Sequence, residues 1–378
     1  MSTALRTEWC GATLAAMHDH VAGLTRTYHL DHQGTVQCLT DDNGEVTDRF
    51  ACDARGVLGH EPQSPLVRGG VRQSSPGPQA PPPHPHTPPM QHSAHEANRR
   101  SWNAATAVHN GRGADQAAFF RAGGSTLFPE ERELLGNLAG LSVAHLQCNC
   151  GQDSLSLAQL GAVVTGVDIS DSAIAFARQL SGDSGLPGGF VRADVLDWLA
   201  ETPDRFDVAF ASYGALCWLS DLGAYFHGVA RVLNPGGRWV AVEFHPAALT
   251  FDEQWRPAYP YSSAEPWLNP DGVGDYIADC TGSLQHGPDA SAPAAPFHNP
   301  HPSYEFAWGI GDVLGAALAA GLRVRHFAEY PYLNGWKAFT EMDALPGRRW
   351  AAPAGKPAVP LMYSLVVTAP LPASPPAP

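Results

Sequence analysis

Gly151 and Asp168 are the residues whose types and spacing speak most directly of chemistry. Gly151 closes the run His145-Leu-Gln-Cys-Asn-Cys-Gly, which follows an apolar segment and leads into a helix-like one. A glycine there lets the backbone approach a ligand closely, and the free amide groups of a helix start can receive its polar end. Asp168 stands 17 residues further on, at the end of the next apolar segment, in Val164-Thr-Gly-Val-Asp-Ile-Ser. A carboxylate at that distance can accept both hydroxyls of a ribose, with Ile169 beside it. A second acid, Asp194, follows the third such segment in Val191-Arg-Ala-Asp-Val. It can receive an adenine amino group or serve as the N-cap of a helix over 196–200. The fourth segment ends in Ser212-Tyr213-Gly, small and aromatic residues suited to flank the same ligand, while Asp207 at its start reads as structural.

Elements that could hold these residues in one place must alternate strand and helix. From about residue 125 the chain does so, with candidate strands at 142–147, 162–167, 189–192, 206–211, 237–244, 322–329 and 361–368. Amphipathic helices fit 154–160, 172–179, 221–232 and 310–320. Such alternation predicts an α/β fold, a Rossmann-like doubly wound seven-stranded parallel sheet covered by helices. In that fold the ligand lies beyond the carboxyl ends of the strands, where the four motifs fall.

Composition narrows the function. The 378 residues, 44% hydrophobic, suffice for a full core, and a formal charge of −14 would repel a phosphate backbone, so a small-molecule substrate is expected and a nucleic-acid partner is not. No apolar run is long enough for a membrane span and no secretory leader pattern opens the chain, which places it in the cytoplasm. Seven cysteines without framework spacing read as thiols. Cys148 and Cys150 could serve a metal as a C-x-C pair, but no second Cys or His pair follows at zinc-site spacing, so they are expected as small buried thiols and no metal site is predicted.

The ordered motifs resemble the class I S-adenosylmethionine-dependent methyltransferases over about residues 97–370. Arg231-Val-Leu-Asn-Pro-Gly-Gly237 and the strand Trp239-Val-Ala-Val-Glu-Phe-His-Pro246 carry the resemblance further. It implies S-adenosylmethionine as cofactor, bound by His145, Gln147, Asn149, Gly151, Asp168, Ile169, Asp194, Val195 and Ser212. The sequence departs from the family at the first loop: His145 stands for the usual acid, and Gln147 and Asn149 for the first two glycines of Gly-x-Gly-x-Gly. The Asn/Asp-Pro-Pro-Tyr/Phe motif of amine methylation is absent after the fourth strand, which weakens methylation of nucleic-acid bases. His245 can act as a general base or as a hydrogen-bonded structural residue before Pro246. An insertion over 246–307, with Trp255, Tyr259, Tyr261, Trp267, Tyr276 and Tyr304, is expected to cap the substrate, its rings lining an acceptor or packing on the sheet. Upstream, 98–120 is expected as helical lid material, with Trp102 and Asn103 as candidate contacts.

Ahead of this region, 63–96 is rich in proline and histidine and reads as an extended linker, in which His84, His86, His92 and His95 are not expected to form a site. Residues 371–378 form a Pro-rich tail. Strands at 35–40 and 45–53 around Asn43-Gly44 predict a hairpin within 1–62. With Tyr28 to Gly34 and Phe50 to Gly56, this segment resembles one YD-repeat of the Rhs type. An isolated copy implies a remnant of a longer gene or a start at Met90. N-terminal mass spectrometry finding intact residues 1–89, with activity lost on their removal, would contradict that. A nicotinamide-dependent oxidoreductase would share the glycine turn and distant acid, though G-x-G-x-x-G is missing. A non-catalytic cofactor-binding or interaction module is the third reading.

Overall fold

A computed structural model describes the strands within residues 8–62, the helix 88–111 and residues 115–263, 265–275 and 297–371, with side chains from residue 92 onward. The chain divides into two units, 1–80 and 81–378.

In the first unit, strands Glu8–Cys10 and Thr13–Ala16 pair. His18–Val21, Leu24–Leu30, Val36–Thr40, Val46–Cys52 and Leu58–Pro62 form a five-stranded antiparallel meander in chain order. The expected hairpin is its third and fourth strands, with Cys38 opposite Arg49. Further strands on either side supply partners that a lone hairpin lacks. The turn at 41–45 and the tract 63–87 lie outside the described residues, as does the tail beyond 371.

The second unit is an α/β fold around a Rossmann-like seven-stranded sheet. Its strands are β1 Ser142–Leu146, β2 Val163–Asp168, β3 Gly189–Arg192, β4 Phe206–Ser212, β5 Leu233–Phe244, β6 Arg323–Tyr330 and β7 Met362–Thr368. Their order is β3-β2-β1-β4-β5-β7-β6. β1 to β5 are parallel, and β7 runs antiparallel to both β5 and β6. This corrects the all-parallel expectation. The segment joining β6 to β7 carries three short strands, Tyr332–Asn334, Asp343–Leu345 and Arg349–Ala351, and no helix to make a crossover, so β7 returns antiparallel and fills the space between β5 and β6.

β4 lies at the centre and is buried on both faces, as its apolar run Val208-Ala-Phe-Ala211 requires. The helices are α1 Pro88–Gly111, α2 Gln116–Arg121, α3 Pro129–Leu135, α4 Gln152–Gln159, α5 Asp171–Ser184, α6 Val195–Glu201, α7 Leu222–Val232 and α8 Ile310–Ala319. Leu199, Leu222, Phe226, Val229 and Val313 of α6, α7 and α8 pack with Trp239 on one face of the sheet, and Leu135 and Leu157 of α3 and α4 with Phe210 on the other. A third cluster joins Phe120, Ile174, Ala177 and Phe190 at the β2–β3 edge. α1 starts at Pro88, so the extended tract expected over 63–96 ends before that residue.

Candidate active site

The loop from β1 to α4 alternates ordinary and left-handed residues: Gln147 has φ 56°, Asn149 φ 47° and Gly151 φ 79°. These are the three positions of the glycine pattern, so the chain keeps left-handed turns at all three while having only one glycine. Asparagine tolerates such a conformation through its short polar side chain, whereas glutamine is strained there. Gln147 is held in place because its Nε2 donates to the Ala215 carbonyl (2.7 Å), fastening this loop to the one after β4. Its Oε1 is buried without a partner. Cys148 N–H donates to Val167 O (2.9 Å), tying the loop to β2.

Asp168, at the end of β2, faces that loop. One carboxylate oxygen accepts the Asn149 N–H (2.9 Å) and the other the Ser170 N–H (2.8 Å). Burial raises the Asp168 pKa despite these bonds and that of Ile169 N–H. The loop that ends at Gly151 thus meets Asp168 through Asn149, and Ile169, next to Asp168, is half-buried.

Three other candidates are placed differently. His145 lies in the core, 3% exposed, its Nδ1 on Ser154 Oγ (2.7 Å) and its ring against Phe210. Burial lowers its pKa to about 4, against the pull of Asp153, so the ring is neutral and braces α4 on β1. Val195 is buried within the α6–α7 layer. Ser212 Oγ donates to Asp153 Oδ2 (3.1 Å), linking β4 to α4. Cys148 and Cys150 are the expected buried thiols, Cys148 pushed well up and Cys150 to about 12 by burial.

Asp194 is the N-cap of α6, Oδ1 accepting the Leu196 N–H (2.9 Å). Its Oδ2 lies 2.5 Å from His95 Nδ1 of α1. Burial opposes its ionisation, but His95 and the Leu196 N–H outweigh it and hold the carboxyl below its ordinary pKa.

His245 does not fit the role of a base. Its Nδ1 accepts the Ala247 N–H (3.0 Å), so Nε2 carries the hydrogen and donates to Glu329 (2.9 Å). Both nitrogens are engaged, and burial lowers the pKa against the pull of Glu329. The ring buttresses the turn after β5.

Two further groups shape this edge, of which the sequence reading passed over the first and expected the second, from residue 98, as helical lid material. Buried Glu243 accepts N–H bonds from Gly214 (2.5 Å), Ala215 (2.9 Å) and Leu216 (3.2 Å), pinning the loop in which Tyr213 is left-handed at φ 42°. Burial raises its pKa from 4.5 to about 7 even against those donors. The folded protein therefore binds this proton more tightly than the unfolded chain. Its stabilising effect is complete below pH 4.5 and is lost as pH climbs through 7, a fall of about 3 kcal/mol. Glu243→Gln is expected to remove that slope from urea-unfolding free energies measured between pH 4.5 and 8; an unaltered slope would contradict the assignment.

α1 is the second. It touches Asp194 with His95, Asp171 with Arg99 and Asn103, and Cys150 Sγ with Asn110 (3.2 Å). Asn103 Oδ1 also accepts from Ser170 Oγ (2.8 Å) and Ser172 N–H (3.1 Å). Trp102 packs edge-on against Trp218 at 5.4 Å. Asn98 exchanges bonds with the Tyr304 backbone (2.9 and 2.6 Å), so the strand pair Trp267–Asn269 and Ser303–Glu305 straps onto α1. Within 246–307, Trp255 is buried and stacks on Phe339 at 3.7 Å, while Tyr259, Tyr261 and Trp267 stay exposed and Tyr276 lies outside the described residues. Buried positions 95, 98, 101, 105 and 109 follow a helical period that could have revealed that α1 begins before residue 98.

Residues 143–237 match the methyltransferase-domain family. The ubiquinone biosynthesis O-methyltransferase of Proteus mirabilis is 31% identical over 106 residues, 28% of this chain and 43% of that protein. Its counterpart in Xanthomonas euvesicatoria is 35% identical over 101 residues, 27% of this chain and 42% of that protein. The chain thus spans less than half the length of these two curated relatives. Among solved structures, an S-adenosylmethionine-dependent methyltransferase from Mesorhizobium loti aligns with 64% of this chain and 96% of its own at 21% identity and a TM-score of 0.40. The CcbJ methyltransferase of Streptomyces caelestis aligns with 72% and 99% at 17% identity and a TM-score of 0.43. Among the described residues no helix is long and apolar enough to cross a membrane, and no cluster of three or more His, Cys, Asp or Glu side chains is arranged to hold a metal.

Proposed function

We propose that the chain transfers a methyl group from S-adenosylmethionine to a small-molecule acceptor. The observation that carries this reading is the loop 147–151, left-handed at all three positions of the glycine pattern and hydrogen-bonded through Asn149 to Asp168. The residues fit the cofactor. Asp168 would hold the ribose, the 147–151 loop with Gln147 Oε1 the methionine end, and Ile169 and Asp194 the adenine side. The chemistry the cofactor supplies when bound is a methyl group on a sulfonium, which leaves by in-line displacement. The chain's part is alignment and exclusion of water. The 147–151 loop and the loop after β4, joined by Gln147 and pinned by Glu243, would flank the cofactor, and α1 lies along the same edge.

Matches to O-methyltransferases and the charge of −14 support a small organic acceptor over a nucleic acid. A nicotinamide dinucleotide is disfavoured by β7 running antiparallel between β5 and β6, since the dinucleotide fold is mostly parallel in the order 3-2-1-4-5-6. For the first unit we propose a single YD-type repeat, supported by the antiparallel pairing across 36–52.

His245→Gln is expected to lower kcat on an accepted substrate by less than ten-fold, because loss of a general base costs about 10²–10⁴-fold, and to lower stability by about 1–3 kcal/mol. A hundred-fold drop in kcat at unchanged stability would restore the base. Photo-crosslinking of methyl-labelled S-adenosylmethionine, followed by peptide mapping, tests the site. Label is expected in peptides covering 145–170 or 194–213, and label confined elsewhere would overturn the proposal.

A further inference from the structure

Helix α1 crosses the carboxyl edge of the sheet from β3 through β2 to β1, meeting Asp194, Asp171 and Cys150 in turn. At its β3 end, the His95 side chain is 9% exposed, and the edge of its ring abuts Phe306. Nδ1 lies 2.5 Å from Asp194 Oδ2, while Nε2 is buried with no hydrogen-bond partner. The other oxygen of Asp194 is taken by the Leu196 N–H. An ionised carboxylate only accepts, so Nδ1 carries the hydrogen of that contact and Nε2 is the ring nitrogen left to accept. A buried polar atom without a partner is costly, and a ligand N–H would supply one here. The sequence offers Asp194 to an adenine amino group, but in the folded chain both of its oxygens are engaged, and the unpartnered nitrogen beside it is His95 Nε2.

We infer that His95 reads the cofactor's purine: the exocyclic amino group donates to His95 Nε2, and Asp194 acts through the imidazole as a positioning residue. This rests on the methyltransferase reading above. It makes α1 part of the cofactor site, because the group that recognises the base stands on that helix.

Calorimetry on the full chain tests it, with S-adenosylhomocysteine and its 6-desamino purine counterpart as probes. The unsubstituted protein is expected to prefer the amino compound about ten-fold, the equivalent of one hydrogen bond. His95→Phe should bind both compounds equally, at the weaker affinity. His95→Gln, whose amide oxygen can take the same hydrogen, should regain part of the preference. Asp194→Asn, still a helix cap, should narrow it. Equal binding of both probes by the unsubstituted protein, or a full preference in His95→Phe, overturns the inference while leaving the methyltransferase reading standing. No binding of either probe overturns that reading and the inference with it.

Discussion

Asp168→Ala is expected to weaken S-adenosylmethionine binding by roughly 1–3 kcal/mol, the scale of losing hydrogen bonds to a charged acceptor. The carboxylate is desolvated between the 147–151 loop and α5, and its pKa stands above the ordinary carboxylate value because burial outweighs the backbone donors. A raised acid pKa means that the folded state binds the proton more tightly. The group therefore favours folding most below its unfolded pKa, and that benefit is lost as pH rises through the folded value. Burial thus makes ionisation of this carboxyl cost stability, which is sensible for a ligand contact and wasteful for a structural one. Titration calorimetry of a variant whose circular dichroism matches the parent checks the prediction. Unchanged affinity in that folded variant would remove Asp168 from the ribose site.

Gly151→Ala should be the more damaging substitution to the fold. At φ 79° alanine is strained by about 1–2 kcal/mol. Its Cβ would also stand 2.8 Å from both Ala177 Cβ and Phe190 Cε1. Those atoms belong to α5 and β3, which are locked in the cluster with Ile174 and Phe120, so the neighbours have little room to yield. Overpacking of this kind adds about 1–3 kcal/mol, giving a total loss of about 2–5 kcal/mol. Urea denaturation should show a lower midpoint with the m-value preserved. A loss below about 0.5 kcal/mol, the size of an ordinary surface change, would mean that the loop is free to move and is not the rigid cradle described above.

The strand ends were legible in the sequence because each core strand is an apolar run bounded by a polar turn. All seven appear, and β3 has the expected ends at Gly189 and Arg192. Asp168 was legible for the same reason: its position follows from a strand end and a count. The antiparallel course of β7 was not, since a buried strand has the same apolar pattern in either direction. His95 was hidden by composition. It follows a proline tract that reads as extended, while the helical period that buries Asn98 and Ser101 begins within the presumed linker. The roles of His145 and His245 turned on hydrogen-bond partners distant in sequence or fixed by a turn. Ser154 answers the first, and Glu329 with the Ala247 amide answers the second. Sequence spacing could point to these histidines without saying that Nδ1 of the first and both nitrogens of the second were already taken. Gln147 and Asn149 carry the opposite lesson. They read as the loss of a glycine loop, yet the backbone there keeps left-handed turns, held by Gln147 on Ala215 and by Asp168 on Asn149.

The most direct test of the central claim is calorimetric titration of the full chain with S-adenosylmethionine, S-adenosylhomocysteine and NAD in parallel. The account predicts that the first two bind competitively to one site and that NAD does not bind. Binding of NAD alone, or of none of the three by a folded protein, would contradict it.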